Sequence, residues 1–419
     1  MDRCDVLVLG GGAAAEALCQ AGLGGRSVVV VEQGRFGGEC PFVACMPSKA
    51  MLRQARLARG SRSGPRRRRA SPRYADACRW RDQIAEGRDD RSHERDLRRL
   101  GVRTLRGRGR VVAPGRVEVA GRQLQAADLV LATGSQVSPP PIPGLAEAGA
   151  WTSDQLLSSS ELPRSLAILG GGPVGCELAQ ILARFGCRVT VVEAGARLLG
   201  AEEPELAAAA AATLRADGVE VLEGVTAAAV EARGQGRVRL VLDGSGPVQA
   251  DRLLVATGRV PALSGLGLEA YGLGPEPDRL VVEPSCQVQG HDHLWAIGDA
   301  TGVAPFTHTA DYQGRVVAAN LRGEKRQADY RAIPRAVYLD PPVAAVGLTR
   351  EAAAERGLET VVASSALAET ARGLLEETGA GQVLLVADRA RRVLVGAAIS
   401  GPGADDLIGQ AALAIRGDL

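Results

Sequence analysis

Short apolar runs closing on glycine recur along the chain and set its frame. Residues 5–9 read as a strand, Gly10-Gly11-Gly12-Ala13-Ala14-Ala15 as a tight turn, and Glu16, Leu18 and Cys19 as the start of a helix. Residues 27–31 form the next apolar run, ending at Glu32. The same order returns later: a strand over 165–169, the turn Gly170-Gly171-Gly172-Pro173-Val174-Gly175, a helix over 177–185 and a strand over 188–192 ending at Glu193. Apolar runs of strand length, bounded by glycine and separated by a helical stretch, predict buried parallel strands in βαβ units. Residues 130–134 and 255–259 also repeat one another, each an apolar strand reaching Ala-Thr-Gly. Residues 294–299 predict a strand ending in Gly298-Asp299, and 306–310 open a helix. The alanine run 207–212 suits a surface helix, and the proline-rich 139–144 a stiff connector between domains. From about Ala332 strands alternate with a helix, as in a separate α+β domain.

The two glycine turns have what a dinucleotide requires. Gly10 and Gly12 let the backbone approach a pyrophosphate, and the helix that begins there offers open N–H groups and the positive end of its dipole. Glu32 is placed to accept ribose hydroxyls. In the second turn Gly170, Gly172 and Gly175 repeat the pattern, and Glu193 is the matching acid. A carboxylate there receives a 2′-hydroxyl and repels a 2′-phosphate, and the nearest following arginine is Arg197, so NAD(H) is expected ahead of NADP(H). Two such units in one chain imply two dinucleotides, or one domain inserted in another.

Composition narrows the classes. The 419 residues suggest about two to four domains. A net charge of +2 and 3% aromatic residues give no case for nucleic acid. The basic stretch 59–73, with Arg66-Arg67-Arg68-Arg69, reads as a solvated loop. No apolar run reaches the length of a membrane span, and the chain enters its first strand without a leader, so a cytoplasmic protein with no membrane partner is expected. No metal site is expected.

Of eight cysteines only Cys40 and Cys45 lie close together, in Gly37-Gly38-Glu39-Cys40-Pro41-Phe42-Val43-Ala44-Cys45-Met46-Pro47-Ser48-Lys49. That points to a cytosolic redox pair, not a secreted disulfide framework. An ideal helix would set their Cα atoms about 8.7 Å apart, whereas a disulfide needs roughly 4.4–6.8 Å. The helix must therefore be distorted, with Pro41 and Pro47 as the residues to do it. Lys49 and Lys325 are the only lysines in an arginine-rich chain. A lysine kept directly after the cysteine pair suggests a specific role.

With these motifs in order, the chain resembles the class I pyridine nucleotide–disulfide oxidoreductases, the family of dihydrolipoamide dehydrogenase, glutathione reductase, mycothione reductase and mercuric reductase. The match runs from Asp5 nearly to the end and includes Tyr338-Leu339-Asp340-Pro341-Pro342-Val343 at the start of a dimerisation domain. The resemblance implies an α/β fold with two Rossmann-like dinucleotide-binding domains, for FAD and NAD, plus a C-terminal α+β dimerisation domain. Expected boundaries are 1–150 and 263–330 for the two parts of the FAD domain, 151–262 for the NAD(P) domain, and 331–419 for the interface domain, short of the family's last segment. It implies that Cys45 is the charge-transfer thiol, that Cys40 attacks the substrate disulfide, and that Lys49 and Glu177 are the ion pair near the flavin N5. FAD would be held by Gly10, Gly12, Ala13, Ala14, Ala15, Glu32, Gln33, Gly38, Lys49, Gly109, Ala132, Thr133, Gly134, Gly298, Asp299, Thr309 and Ala310. NAD would be held by Gly170, Gly172, Pro173, Val174, Gly175, Glu193 and Gly258.

Electrons would pass from NAD(P)H through FAD and the Cys40–Cys45 pair to a small-molecule or protein disulfide, or in reverse, in a homodimer. Two departures stand out. The family has threonine before its first cysteine, and Glu39 here should disfavour a thiolate at Cys40. The family's C-terminal His-Glu pair also has no match up to Leu419. His308 is a candidate substitute, although its segment suggests packing by the flavin. No cysteine follows Cys286, which disfavours mercuric ion as substrate. The alternatives are an NADH-dependent quinone or other acceptor reductase, and a non-catalytic flavin-binding partner protein.

Overall fold

The computed structural model describes residues 2–60, 73–274, 277–375 and 380–419. It divides into two compact units, each built from three stretches of chain.

The first unit comprises Met1–Met46, Ala85–Ser138 and Arg259–Tyr330. At its centre the strand Asp2–Leu9 lies parallel between Val28–Glu32 and Arg122–Leu131. Leu294–Ala296 pairs in parallel with Arg122–Leu131, and Arg103–Arg106 with Val28–Glu32. Val6, Val8, Val28, Val30 and Val130 pack to one side with Leu18, Val316 and Val317 from the helices Ala13–Gln20 and Thr307–Leu321. Leu7, Leu9, Val29, Val31 and Leu129 pack to the other with Val111, Val117 and Leu294. Alternate side chains point to opposite faces, so burial on both faces requires the unbroken apolar runs seen in the sequence. The first strand begins three residues earlier than expected. Asp2, Arg3 and Cys4 carry no apolar pattern, but they pair in register with Leu124–Ala126.

Asp128 anchors this sheet. Its Oδ1 accepts from Trp295 Nε1 at 3.0 Å and lies 3.0 Å from His293 Nδ1, and Arg26 pairs with Oδ2. Burial opposes the charge, but these hydrogen bonds outweigh it and hold the carboxyl below its ordinary value. Its stabilising contribution is therefore present above the unfolded carboxyl value near 4 and is lost as pH falls through the folded one. Asp128→Asn should cost about 1–3 kcal/mol in urea unfolding at neutral pH. The gap from wild type should shrink below about pH 4, and a gap that stays constant with pH would contradict this account.

The second unit comprises Pro47–Ile84, Pro139–Gly258 and Arg331–Leu419. Its parallel sheet runs in the order Glu220–Glu223, Arg188–Glu193, Ser165–Leu169, Arg252–Val255. Val238–Leu242 lies between Ala227–Ala232 and Val248–Ala250 in a small antiparallel sheet. The C-terminal part is a five-stranded antiparallel sheet carrying the helix Ala404–Arg416, whose Ile408 and Ile415 pack against Val346 and Ile399. The alanine run does lie in a helix, Pro204–Ala216, but one face is core: Leu206, Ala207, Ala210, Ala211 and Leu214 are buried. The division between units falls at Ser138 and Pro139, where the proline run starts. Of the basic stretch 59–73, residues 61–72 lie outside the described residues. No described helix is long and apolar enough to cross a membrane.

Candidate active site

Glu39 precedes a one-turn helix, Cys40–Val43, without a side-chain capping bond, and Pro41 lies in its first turn, where a missing N–H costs nothing. The chain breaks at Ala44 (φ −135°, ψ −100°) and restarts as the helix Cys45–Gly60. The distortion demanded by the five-residue spacing is thus present, but at Ala44. The two prolines start helices on either side of it. The break puts Cys45 at a helix start. Its sulfur also lies 3.7 Å from Thr307 Oγ1, the first residue of the helix Thr307–Leu321. Helix N-termini favour negative charge, so a thiolate is stabilised at such a place. Other cysteines are in the opposite situation. Burial pushes Cys19, Cys176 and Cys187 up to about 12 and Cys4 and Cys286 to about 11. Those thiols are packing residues.

The first glycine turn is built by contact with the strand ends. Gly10 has φ +102°, and a Cβ there would lie 2.1 Å from the Ala132 carbonyl oxygen. Glu32 accepts from the Gly11 N–H at 2.6 Å and from the Gly34 N–H. Gly12 begins the helix Ala13–Gln20 with no side-chain cap. Gly38 comes against Gly12, Gly298 lies against Ala14 and Ala310, and Gln313 accepts from the Gly298 N–H at 2.7 Å. Asp299 accepts from Ser135 Oγ at 2.6 Å. The Thr133 and Thr309 hydroxyls are buried without a hydrogen-bond partner among the described residues. Such groups are costly unless a ligand satisfies them. An uncapped helix start, a glycine cradle and two orphaned hydroxyls fit a bound dinucleotide such as FAD. Gly134 is half-buried, Gln33 is exposed, and Gly109 sits in a strand against Leu9 and Val117.

The second turn repeats the first in detail. Gly170 has φ +103°, and a Cβ would lie 2.4 Å from the Ala256 carbonyl oxygen. Glu193 accepts from Gly171 N–H and Gly195 N–H, each at 2.6 Å. Pro173 and Val174 are exposed at the helix start, and a Cβ on Gly172 would meet nothing, which leaves room for a pyrophosphate. Gly258, exposed with φ +141°, follows the Ala-Thr segment.

Also in this unit, Lys49 Nζ meets Glu177 Oε2 at 2.7 Å and sits 4.6 Å from the centre of the Tyr338 ring. Glu177 Oε1 accepts from the Tyr338 N–H at 2.9 Å. The lysine is thus held by a buried carboxylate and an aromatic face.

Sequence reasoning missed several partners of these residues. Gln313 and Ser135 have ordinary residue types that no local pattern marks, and Tyr338, read only as the start of the dimerisation domain, gave no sign of its contact with Lys49. Glu39 was expected to burden Cys40 with negative charge, yet its Oε2 accepts from Arg259 Nη2 at 2.7 Å, so the charge is paired. The arginine is 220 residues away, beyond any spacing rule. His93 Nδ1 lies 2.6 Å from Glu16 Oε1, and its ring packs edge-on to Phe42. His308 is exposed, with its ring stacked on Phe306.

Residues 4–314 match the family model for pyridine nucleotide-disulphide oxidoreductase, and residues 333–419 match the family's dimerisation domain. The chain belongs to this family. A mercuric reductase of Streptomyces lividans is 33% identical over 430 residues, covering 99% of this chain and 90% of the relative. A dihydrolipoyl dehydrogenase of Synechocystis is also 33% identical, covering 98% and 92%. The solved HOCl-induced flavoprotein disulfide reductase RclA from Escherichia coli superposes with a TM-score of 0.86 at 26% identity, covering 99% of this chain and 94% of that one. The expected family, fold class and enzyme class therefore hold: the chain is an FAD-dependent NAD(P)H:disulfide oxidoreductase with a dimerisation domain. The acceptor-reductase and non-catalytic readings are not favoured.

Proposed function

We propose that electrons pass from NADH to FAD, then to Cys45 and Cys40, and from Cys40 to a disulfide substrate. The observation that carries this reading is the Cys45 sulfur beside Thr307 at a helix start, just after the break at Ala44. Bound FAD would supply hydride acceptance from the nicotinamide and two-electron transfer to sulfur. Ala13, Ala14, Thr133, Asp299 and Thr309 would hold it, with pyrophosphate at the Gly10–Gly12 turn and ribose at Glu32. Cys45 would face the flavin, Cys40 would attack the substrate sulfur, and the Glu177 carboxylate would hold the Lys49 ammonium in place. The substrate class is a small-molecule or protein disulfide.

NAD(H) is the favoured nucleotide because Glu193 ends its strand as a carboxylate, and Arg197 is turned to the Gly200 and Glu202 carbonyls at 3.1 and 3.3 Å. The kcat/KM for NADH should exceed that for NADPH by about 100-fold, the ratio a like-charge penalty of about 2.7 kcal/mol produces. Glu193→Ala should narrow the ratio, and an unchanged ratio would remove Glu193 from the account. A homodimer in the cytoplasm is the proposed working form. Exposed Leu374, Leu375 and Leu413 in the C-terminal part are apolar positions suited to cover by a second subunit.

Anaerobic titration with NADH tests the scheme. A long-wavelength thiolate–flavin band after two electrons supports it. Direct bleaching of the flavin without that band would mean that the cysteine pair takes no electrons.

A further inference from the structure

Glu39 and Asp299 belong to one hydrogen-bonded chain. Arg259 Nη2 donates to Glu39 Oε2 at 2.7 Å and to the Ser135 carbonyl at 2.8 Å, and its Nε donates to Ser135 Oγ at 2.7 Å. Ser135 has one proton to give and donates it to Asp299 Oδ2 at 2.6 Å. The antiparallel pairing of Arg259–Pro261 with Ser135–Val137 sets Arg259 opposite Val137, on the strand that begins at Ser135.

We propose that Arg259 is a positioning residue with two tasks: it neutralises Glu39 beside Cys40, and through Ser135 it orients the Asp299 carboxylate that receives the flavin. The inference rests on the reading of Cys40 as the attacking thiol and Asp299 as a flavin ligand.

An unpaired carboxylate next to Cys40 opposes the thiolate that must attack. Other ionisable groups on the surrounding elements include Asp299, Cys45, His308 and Asp311 on Thr307–Leu321, and, across Phe42, the His93–Glu16 pair. Arg259 supplies a counter-charge to Glu39 at 2.7 Å. The guanidinium is suited to both tasks because its planar fork serves Glu39 and Ser135 together, whereas a lysine ammonium supplies charge without the fork. Arg259 and Glu39 are about one-third and one-half exposed, so solvent moderates the electrostatic effect.

The test reads Cys40 directly. Reduced protein is alkylated with iodoacetamide across a pH series, the Cys40 peptide is quantified by mass spectrometry, and flavin retention is measured in parallel. In Arg259→Gln, alkylation of Cys40 near neutral pH should slow by about three- to tenfold, and flavin should be retained less well. Glu39→Gln combined with Arg259→Gln should return the alkylation rate to within about twofold of wild type while flavin retention stays impaired. Arg259→Lys should show the same split. The proposal is overturned if Arg259→Gln leaves the Cys40 profile and flavin retention unchanged, or if the double variant fails to restore the rate. Full disulfide turnover by Cys40→Ser would instead sink the reading of Cys40 as the attacking thiol, whatever the alkylation series shows about Arg259.

Discussion

Cys45→Ser is expected to lower NADH-driven disulfide reduction by on the order of a thousandfold or more, while the protein still folds and holds flavin. The serine hydroxyl is slightly smaller than the thiol and creates no clash, so packing at the start of Cys45–Gly60 survives. Oxygen cannot form the disulfide or carry the negative charge that sulfur carries at neutral pH. The long-wavelength band should vanish in the same variant. Electron transfer from NADH to a small quinone should persist, because it requires no cysteine. Retained disulfide turnover would move the redox function away from this pair. A protein that folds yet lacks flavin would instead mean that Cys45 is part of the flavin seat.

Gly10→Val should be as damaging for a different reason. The backbone there is left-handed, and the new Cβ would lie 2.1 Å from the Ala132 carbonyl oxygen. Backbone strain and forced displacement of a central strand end should cost about 2–5 kcal/mol together. The turn proposed to face the pyrophosphate would open, so flavin should be lost from the purified protein, read as the ratio of flavin to protein absorbance. Gly22→Ala is the control: Gly22 also has positive φ, but nothing lies within 4 Å of its Cβ position. It should cost only about 1–2 kcal/mol and keep the flavin. Equal flavin loss in both variants would argue against the close approach as the cause.

Much of the candidate site's geometry was legible because glycine turns and the acids that end their strands are written in local sequence. Gly10, Glu32, Gly170 and Glu193 lie at set distances within single βαβ units, and the structure gives both pairs the same hydrogen bonds to the turn. The five-residue cysteine spacing also required a broken helix, although the break falls at Ala44. The reading of Glu39 was incomplete because its partner is remote. A charge was assessed without the arginine that pairs with it, and only a folded sheet brings 39 and 259 together.

The sequence by itself determined the order of strands and glycine turns, the two acids that end their strands, and the adjacency of Cys40, Cys45 and Lys49. These depend on periodicity, backbone freedom and short spacing, which act within a few turns of chain. Only the tertiary structure decided that Tyr338 covers Lys49, that Gln313 holds the Gly298 turn, and that Arg259 links Glu39 to Ser135 and Asp299. Hydrogen bonds and ion pairs of that kind join residues more than a dozen and up to nearly three hundred positions apart. They exist only once strands have paired and helices have packed, so no local pattern could encode them.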